Sequence, residues 1–371
     1  MTWRTVKLGD VCSIKTGRKD VNESNINGQY PFFTCAKEHT YSDVYSFDCE
    51  AILIAGNGAV GQTAYYNGKF EAYQRTYVLS EFNDIMPKLL LLILQGQLMK
   101  YLSSMVLGNT IPYIKKNMLE NFEFSIPPFV EQQHTLAKLD TAFAEIDKNI
   151  DFIKNKEQEI NILNEIILSD EFKLSPENKK LNEVCKIFNG GTPDTKNKTY
   201  WNGNAQWLTP RDMGKLKNEN VIITLRQLTE AGLKNSSASL IPKNSIILSC
   251  RAPIGHLAIN NVPMAFNQGC KGLVPDSTIL QYKYLYYFLF SSKKLLNNLG
   301  TGTTFKEISS KVLSSVKINV PSLDRQKKII NKLDLIFKEL QKLKDINKKQ
   351  IENYSNLKKA LLKKELISKA A

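Results

Sequence analysis

Long apolar runs are missing from this 371-residue chain. The longest aliphatic stretch, Leu89 to Leu94, falls far short of the ~18 to 20 residues that cross a bilayer, and "MTWRTVKLGD" lacks the apolar centre of a signal peptide. A cytoplasmic protein without a membrane partner is expected. Cysteine pairing is missing too. Cys12, Cys35, Cys49, Cys185, Cys250 and Cys270 show no C-x-x-C spacing, which argues against a zinc site and against a secreted disulfide framework. Reduced, mostly buried thiols are expected. Histidine is rare and dispersed (His39, His134, His256), and no H-E-x-x-H, G-x-S-x-G or Walker A run occurs. Nothing in the chain reads as a catalytic constellation, a metal site or a cofactor site; isolated acids such as Asp43, Asp48, Asp212 and Asp276 read as solvated surface groups.

Negative charge is also in short supply. Against 36 acidic residues stand 50 Lys and Arg, a formal net charge of +14. Such a surplus favours a polyanionic partner, because basic side chains on phosphates release counterions. The Lys-Asn-Ile richness that AT-rich coding produces accounts for part of it. Arginine escapes that explanation: only seven occur (Arg4, Arg18, Arg75, Arg211, Arg226, Arg251, Arg325) among the 50 basic residues.

What the chain does have is an internal repeat. "IPPFVEQQHTLAKLDTAFAEID" (126–147) matches "VPSLDRQKKIINKLDLIFKELQ" (320–341) at an offset of 194. The same offset pairs "GNTIPYI" with "GTTFKEI", Gln74 with Gln268, and Gly61 with Gly255. Near the front of each half the offset is 173, pairing "LGDVCSIKTG" with "LNEVCKIFNG". A 21-residue insertion is therefore expected in the second half, placed within "GTPDTKNKTYWNGNAQWLTPRDM". The plan is a globular unit (1–128), a long helix (129–172), a second globular unit (173–322) and a second long helix (323–371).

Each globular unit reads as mixed α and β. "AILIAG", "YYNGKFEAY", "NVIITL", "SIILSC" and "HLAINNVPMAF" are β-prone, Asn67-Gly68 signals a hairpin turn, and helices are expected over Pro87–Leu102 and Gln281–Leu295. In the long segments, Leu136, Leu139, Phe143, Ile146, Ile150, Ile153, Ile160, Leu163 and Ile167 follow coiled-coil steps. Ile330, Leu333, Phe337, Leu340, Ile351, Tyr354, Leu357 and Leu361 do the same, with Lys344 and Asn347 on or beside the seam. The simplest partner of each long helix is the other, antiparallel, forming a rod of roughly 60 Å at ~1.5 Å per residue.

Two motifs invite enzymatic readings. "GNGAVG" (56–61) has the glycine spacing of a dinucleotide fingerprint, but that site needs a helix opening in the glycine turn and an acid ~20 residues on. The repeat copy, "CRAPIG", keeps one glycine, so a strand turn allowing close backbone approach is expected instead. "SIPPFV" (125–130) echoes the N/D/S-P-P-F/Y signature of amino-methyltransferases, yet Ile126 stands where a polar acceptor is required, and a proline stop before the long helix is the simpler reading.

A duplicated unit closed by "PP…EQ" entering a long helix, with "GNTIPYI" and "GTTFKEI" just before it, resembles the DNA-specificity subunit of type I restriction-modification systems. "FNGGTPDTKNKTYWNGNAQWLTPRDM" (188–213), "YPFFTCAKEHTYSD" and "IAGNGAVGQTAYYNGKFEAYQRTYVL" resemble two classes of target-recognition domain in that family. The resemblance implies an α+β fold with two target-recognition domains separated by an antiparallel coiled coil. It also implies a non-catalytic chain without its own cofactor that binds double-stranded DNA. Two methyltransferase subunits would dock on the helices, and restriction/translocase subunits would join through the complex. Under it, loop residues able to read or clamp DNA are Arg18, Lys19, Gln74, Arg75, Asn109, Thr110 and Tyr113 in the first unit. In the second they are Thr192, Lys196, Arg211, Arg251, Gln268, Lys271, Thr303 and Thr304. Trp201, Trp207, Tyr65 and Tyr66 read as core. The rivals are a duplicated DNA-binding scaffold without methyltransferase partners or an inverted or silent specificity cassette, and a fused restriction enzyme or methyltransferase fragment.

Overall fold

The two copies of the repeat build the same strand pairings in the same register. In the computed structural model, which describes residues 3–103, 105, 107, 112–173, 178–216, 218–251, 253–301 and 306–366, Ser13 lies opposite Ser80 and Lys186 opposite Val274. Leu53 faces Val78 as Ile247 faces Gly272, and Lys7 faces Glu123 as Lys180 faces Lys317. Each pair reproduces the sequence offsets, so the repeat is one of architecture as well as of letters.

The chain forms two compact units, residues 1–154 with 347–371, and residues 155–346. The first carries a six-stranded sheet in the order 13–16, 76–80, 47–55, 63–72, 30–33, 40–42. In its Phe47–Ala55 strand the stretch 51–55 is buried on both faces, as the unbroken apolar run predicts. Ile52 and Ile54 pack with Leu79 and the Leu89, Leu90 and Ile93 side of the Pro87–Leu102 helix. Ala51 and Leu53 pack with Phe33, Phe70 and Val78. The second unit has a five-stranded sheet (185–189, 270–275, 245–249, 257–260, 220–221) and a three-stranded one (226–228, 201–208, 264–266). There Ile246 and Leu248 join the helix-side core while Ile247 faces the other.

The long helices are Phe129–Glu171 and Leu323–Leu366. In the first, a strict alternation of four- and three-residue steps from Gln132 to Glu171 keeps every position from full exposure, and the equivalent series from Gln326 to Glu365 does the same in the second. Within the first unit, Lys138 pairs with Glu365 and Lys358 with Asp147, both at 2.6 Å, so numbers rise along one helix as they fall along the other. Within the second unit, Lys332 pairs with Glu171 and Lys344 donates to Asn161 Oδ1 at 2.9 Å, again antiparallel. Leu139, Phe143, Leu361 and Leu366 share the first unit's core, and Leu168, Phe172, Ile330 and Leu333 the second's. No helix among the described residues is long and apolar enough to cross a membrane.

Several local expectations are corrected. Asn67-Gly68 is no turn: the pair faces Glu50 and Cys49 inside the Thr63–Ala72 strand, because the long Phe47–Ala55 partner continues past it. "NVIITL" yields only the two-residue strand Asn220–Val221, and Ile222, Ile223 and Leu225 are 58%, 79% and 76% exposed. The helix expected over Gln281–Leu295 breaks at Ser292 into Tyr282–Ser291 and Lys293–Leu299. Leu163 and Leu357 point outward, and Asn164 and Lys358 take the seam, since helical phase outranks hydrophobicity there. Finally, Phe33 and Leu208 occupy matching places: Phe33 pairs in parallel with Ala72 at the end of the hairpin's second strand, and Leu208 with Phe266, 194 residues on. Most of the insertion therefore lies beyond Leu208, between 209 and 244.

The buried Gln132 and Gln326 tie each long helix to its unit in the same way. Gln132 accepts from Met86 N at 2.9 Å and donates to the carbonyls of Asp84 and Pro127. Gln326 accepts from Gln281 N at 2.9 Å and donates to those of Ile279 and Pro321. Replacing either glutamine by leucine leaves three backbone groups without their partner and is expected to lower stability by about 2–3 kcal/mol. Urea titration with hydrogen exchange resolved by unit checks it, and a change below about 0.5 kcal/mol would remove the clamp from the account.

Candidate nucleic-acid interface

In the first unit "GNGAVG" is the turn of the hairpin between Phe47–Ala55 and Thr63–Ala72. Gly58 and Gly61 take φ of +59° and +75°, which glycine adopts without strain. Gly56 is needed for closeness: its N–H donates to Arg75 O at 3.0 Å, and a Cβ would sit 2.3 Å from that oxygen. No helix opens in this turn, so the geometry that receives a pyrophosphate is not built here.

The same turn gathers the loops. Ile114 N donates to Gly56 O at 2.9 Å, and Asn57 bridges to Tyr113. Gln74 N donates to Lys19 O at 3.0 Å, and Lys19 bridges to Tyr73. Arg18, Lys19, Gln74, Arg75 and Tyr113 are thereby brought together on stitched loops. Arg18, Gln74 and Arg75 are exposed. Lys19 is anchored by Glu23 at 2.6 Å, whose hydrogen bond raises the ammonium's pKa, so the cation persists across neutral pH. Asn109 and Thr110 lie outside the described residues.

The second unit repeats the stitch with other side chains. Cys250 N donates to Gly269 O at 2.8 Å and Ile308 N to Cys250 O at 2.9 Å. Arg251 stands where Asn57 does, Glu307 where Tyr113 does, and the two bridge, with Arg251 Nε 2.8 Å from Glu307 Oε2. Beside them Thr192 donates to Gln268, and Asn267 Nδ2 donates to Thr192 Oγ1 at 2.8 Å and to Gln268 Oε1 at 3.0 Å. Asn267 also lines an open groove of about 520 Å³ with Arg211, Lys215 and His256. Burial and the Lys293 ammonium hold His256 below the usual imidazole range, so the groove's positive charge comes from Arg211 and Lys215.

Other residues singled out in the sequence fall elsewhere. Lys271 is buried and donates to Asn189 Oδ1 at 2.8 Å. It secures the strand behind the loops and does not face solvent. Lys196 is exposed on the Asp194–Asn197 turn. Thr303 and Thr304 lie outside the described residues. Asn57, Asn267, Lys215 and Glu307 escaped the sequence reading; applying the 194-residue offset to Arg251 and Tyr113 would have found Asn57 and Glu307. Trp201 and Trp207 are core, 8% and 2% exposed. All six cysteines are free, five of them buried; burial pushes the Cys12, Cys185 and Cys250 thiols up to about 12, which leaves them unreactive.

Comparison with known proteins places these features among relatives. The family described as type I restriction modification DNA specificity domain matches residues 1–161 and 176–353. The MjaIX type I restriction enzyme specificity subunit of Methanocaldococcus jannaschii is 34% identical over 185 residues, 48% of this chain and 42% of that protein. The EcoDI specificity subunit of Escherichia coli is 39% identical over 145 residues, 39% of this chain and 32% of that protein. The chain thus spans less than half the length of these two curated relatives. A solved structure titled for complex assembly and conformational transition of the type I R-M system shares the fold, with a TM-score of 0.74 at 20% identity, covering 98% of this chain and 97% of the other. The HsdS subunit from Thermoanaerobacter tengcongensis gives 0.54 at 19% identity over 99% and 97%.

Two glycines separate close approach from free space. Gly56→Ala forces a methyl against Arg75 O and is expected to cost about 2–3 kcal/mol. Gly96→Ala, whose Cβ meets nothing within 4 Å on the Pro87–Leu102 helix, is expected to add about 0.5–1 kcal/mol. Thermal unfolding of the two variants checks the opposite signs, and equal effects would contradict the stitch.

Proposed function

The chain belongs to the type I restriction-modification DNA specificity family, and from that premise we propose that each unit is a head reading one half of a bipartite DNA target. The observation that carries this reading is the shared stitch with unlike side chains. One backbone arrangement presents Asn57, Gln74, Arg75 and Tyr113 in the first unit and Arg251, Gln268 and Glu307 in the second. A duplicated frame with different donors and acceptors is what an asymmetric, two-part sequence requires, since base edges are told apart by donor and acceptor pattern. The surplus of 14 positive charges would supply register and salt-dependent affinity through phosphates.

In this reading the two long helices form an antiparallel coiled coil that serves as the unread spacer and docks two methyltransferase subunits. Restriction and translocase subunits join through the assembled complex. The chemistry, S-adenosylmethionine-dependent adenine methylation and ATP-driven translocation and cleavage, resides in those partners; this chain supplies the address. The domain limits are 1–128, 129–172, 173–322 and 323–371. Among the residues proposed to contact DNA, Arg18, Lys19, Gln74, Arg75, Thr192, Arg211, Arg251 and Gln268 are supported by their place on the stitched loops or the basic groove.

Co-expression with the cognate methyltransferase in an unmethylated host, followed by single-molecule mapping of modified adenines, tests the proposal. The expected result is a two-part motif of which one half alone changes when residues 1–128 are exchanged for another head. A continuous motif, or a swap that alters both halves, would refute it.

A further inference from the structure

The edge strand of the second unit carries a cation that its counterpart in the first does not: Arg226 faces Trp207 as Thr40 faces Phe32. Residues 222–225 lead into that strand, Arg226–Leu228. They are tied down from beneath: buried Thr224 accepts from Trp207 N at 3.0 Å, and its own N–H donates to Gln206 Oε1 at 2.7 Å. Ile223 and Leu225 beside it stand 79% and 76% exposed. Arg226 closes the segment. Its guanidinium carbon lies 3.5 Å above the centre of the Trp201 ring and 5.2 Å from that of Trp207. The residue is exposed, and among the described residues no hydrogen bond or ion pair engages its guanidinium.

The two indoles also hold the loop that bears Thr192 and Lys196. Trp201 Nε1 donates to Asp194 O and Trp207 Nε1 to Gly191 O, both at 3.0 Å. Arg226 therefore sits one indole away from the Thr192–Gln268 network, its guanidinium held over the Trp201 ring. Stacking removes rotamer freedom, so less is lost when the fork engages a bidentate acceptor, a geometry that lysine cannot copy. A cation without a counter-charge on a basic protein is poorly suited to an apolar protein partner and well suited to DNA.

Resting on the DNA-reading function proposed above, we infer that Arg226, held on Trp201 and Trp207, reads a guanine in the half-site of the second head through paired hydrogen bonds to its O6 and N7. The test is selection of random-sequence duplexes on the purified full-length chain and on its R226A and R226K variants, with thermal midpoints measured alongside. The wild type should enrich a bipartite motif. R226A should lower the preference for one guanine in one half by about tenfold or more, leaving the other half unchanged. R226K, which keeps the charge but not the planar fork, should lose the same preference while melting like the wild type. Either variant returning the wild-type motif, or a uniform loss of affinity with the motif intact, overturns the assignment. A wild-type chain that enriches no sequence overturns the functional reading, and the role of Arg226 with it.

Discussion

Each long helix exposes a seam that it cannot bury alone, and the rest of the architecture follows from covering it. Over 43 and 44 residues the two helices repeat the same four-three alternation, so each presents one continuous edge that water would solvate at a cost. The edge is not wholly apolar: Glu157, Asn164 and Glu171 interrupt the first, Lys344, Asn347, Lys358 and Glu365 the second. Polar seam residues fix register, because sliding the helices would separate Lys138 from Glu365 and Lys358 from Asp147. As a consequence the first unit is completed by residues 347–371, and the second includes the end of a helix that began in the first repeat.

Above that edge the scaffold and the surface answer to different demands. Strand register, the Gln132 and Gln326 clamps and the Cys12 and Cys185 thiols bonded to Leu8 O and Leu181 O are duplicated. The side chains that face outward on the stitched loops are not. Duplicating the frame preserves the placement of the loops; diversifying Asn57 into Arg251 and Tyr113 into Glu307 changes what those loops can bond. Loops held by a rigid frame can change their side chains without changing the fold.

Much of this was legible in the sequence, and the failures have physical causes. The offset pairs, the Pro87–Leu102 helix, the two long helices and the rejection of "GNGAVG" as a nucleotide site could be read because they rest on periodicity and on comparing two copies of one chain. Asn67-Gly68 misled because turn propensity is local, whereas the strand opposite it extends through Glu50 and Cys49. Ile222, Ile223 and Leu225 carry strand composition without a partner to pair with. Leu163 and Leu357 have seam-like hydrophobicity but the wrong helical phase. Arg226 was visible only as one of seven arginines; its significance depends on Trp201 and Trp207 meeting at 5.1 Å beneath it, a tertiary event no spacing records.

The most direct test of the central claim is hydrogen exchange on the full chain and on a version ending at residue 346. If the second helix's far half completes the first unit, removing it uncovers Leu139 and Phe143, and protection falls in the strands 47–55 and 76–80 while strands 245–249 and 270–275 keep theirs. Unchanged protection throughout the first unit would contradict the account.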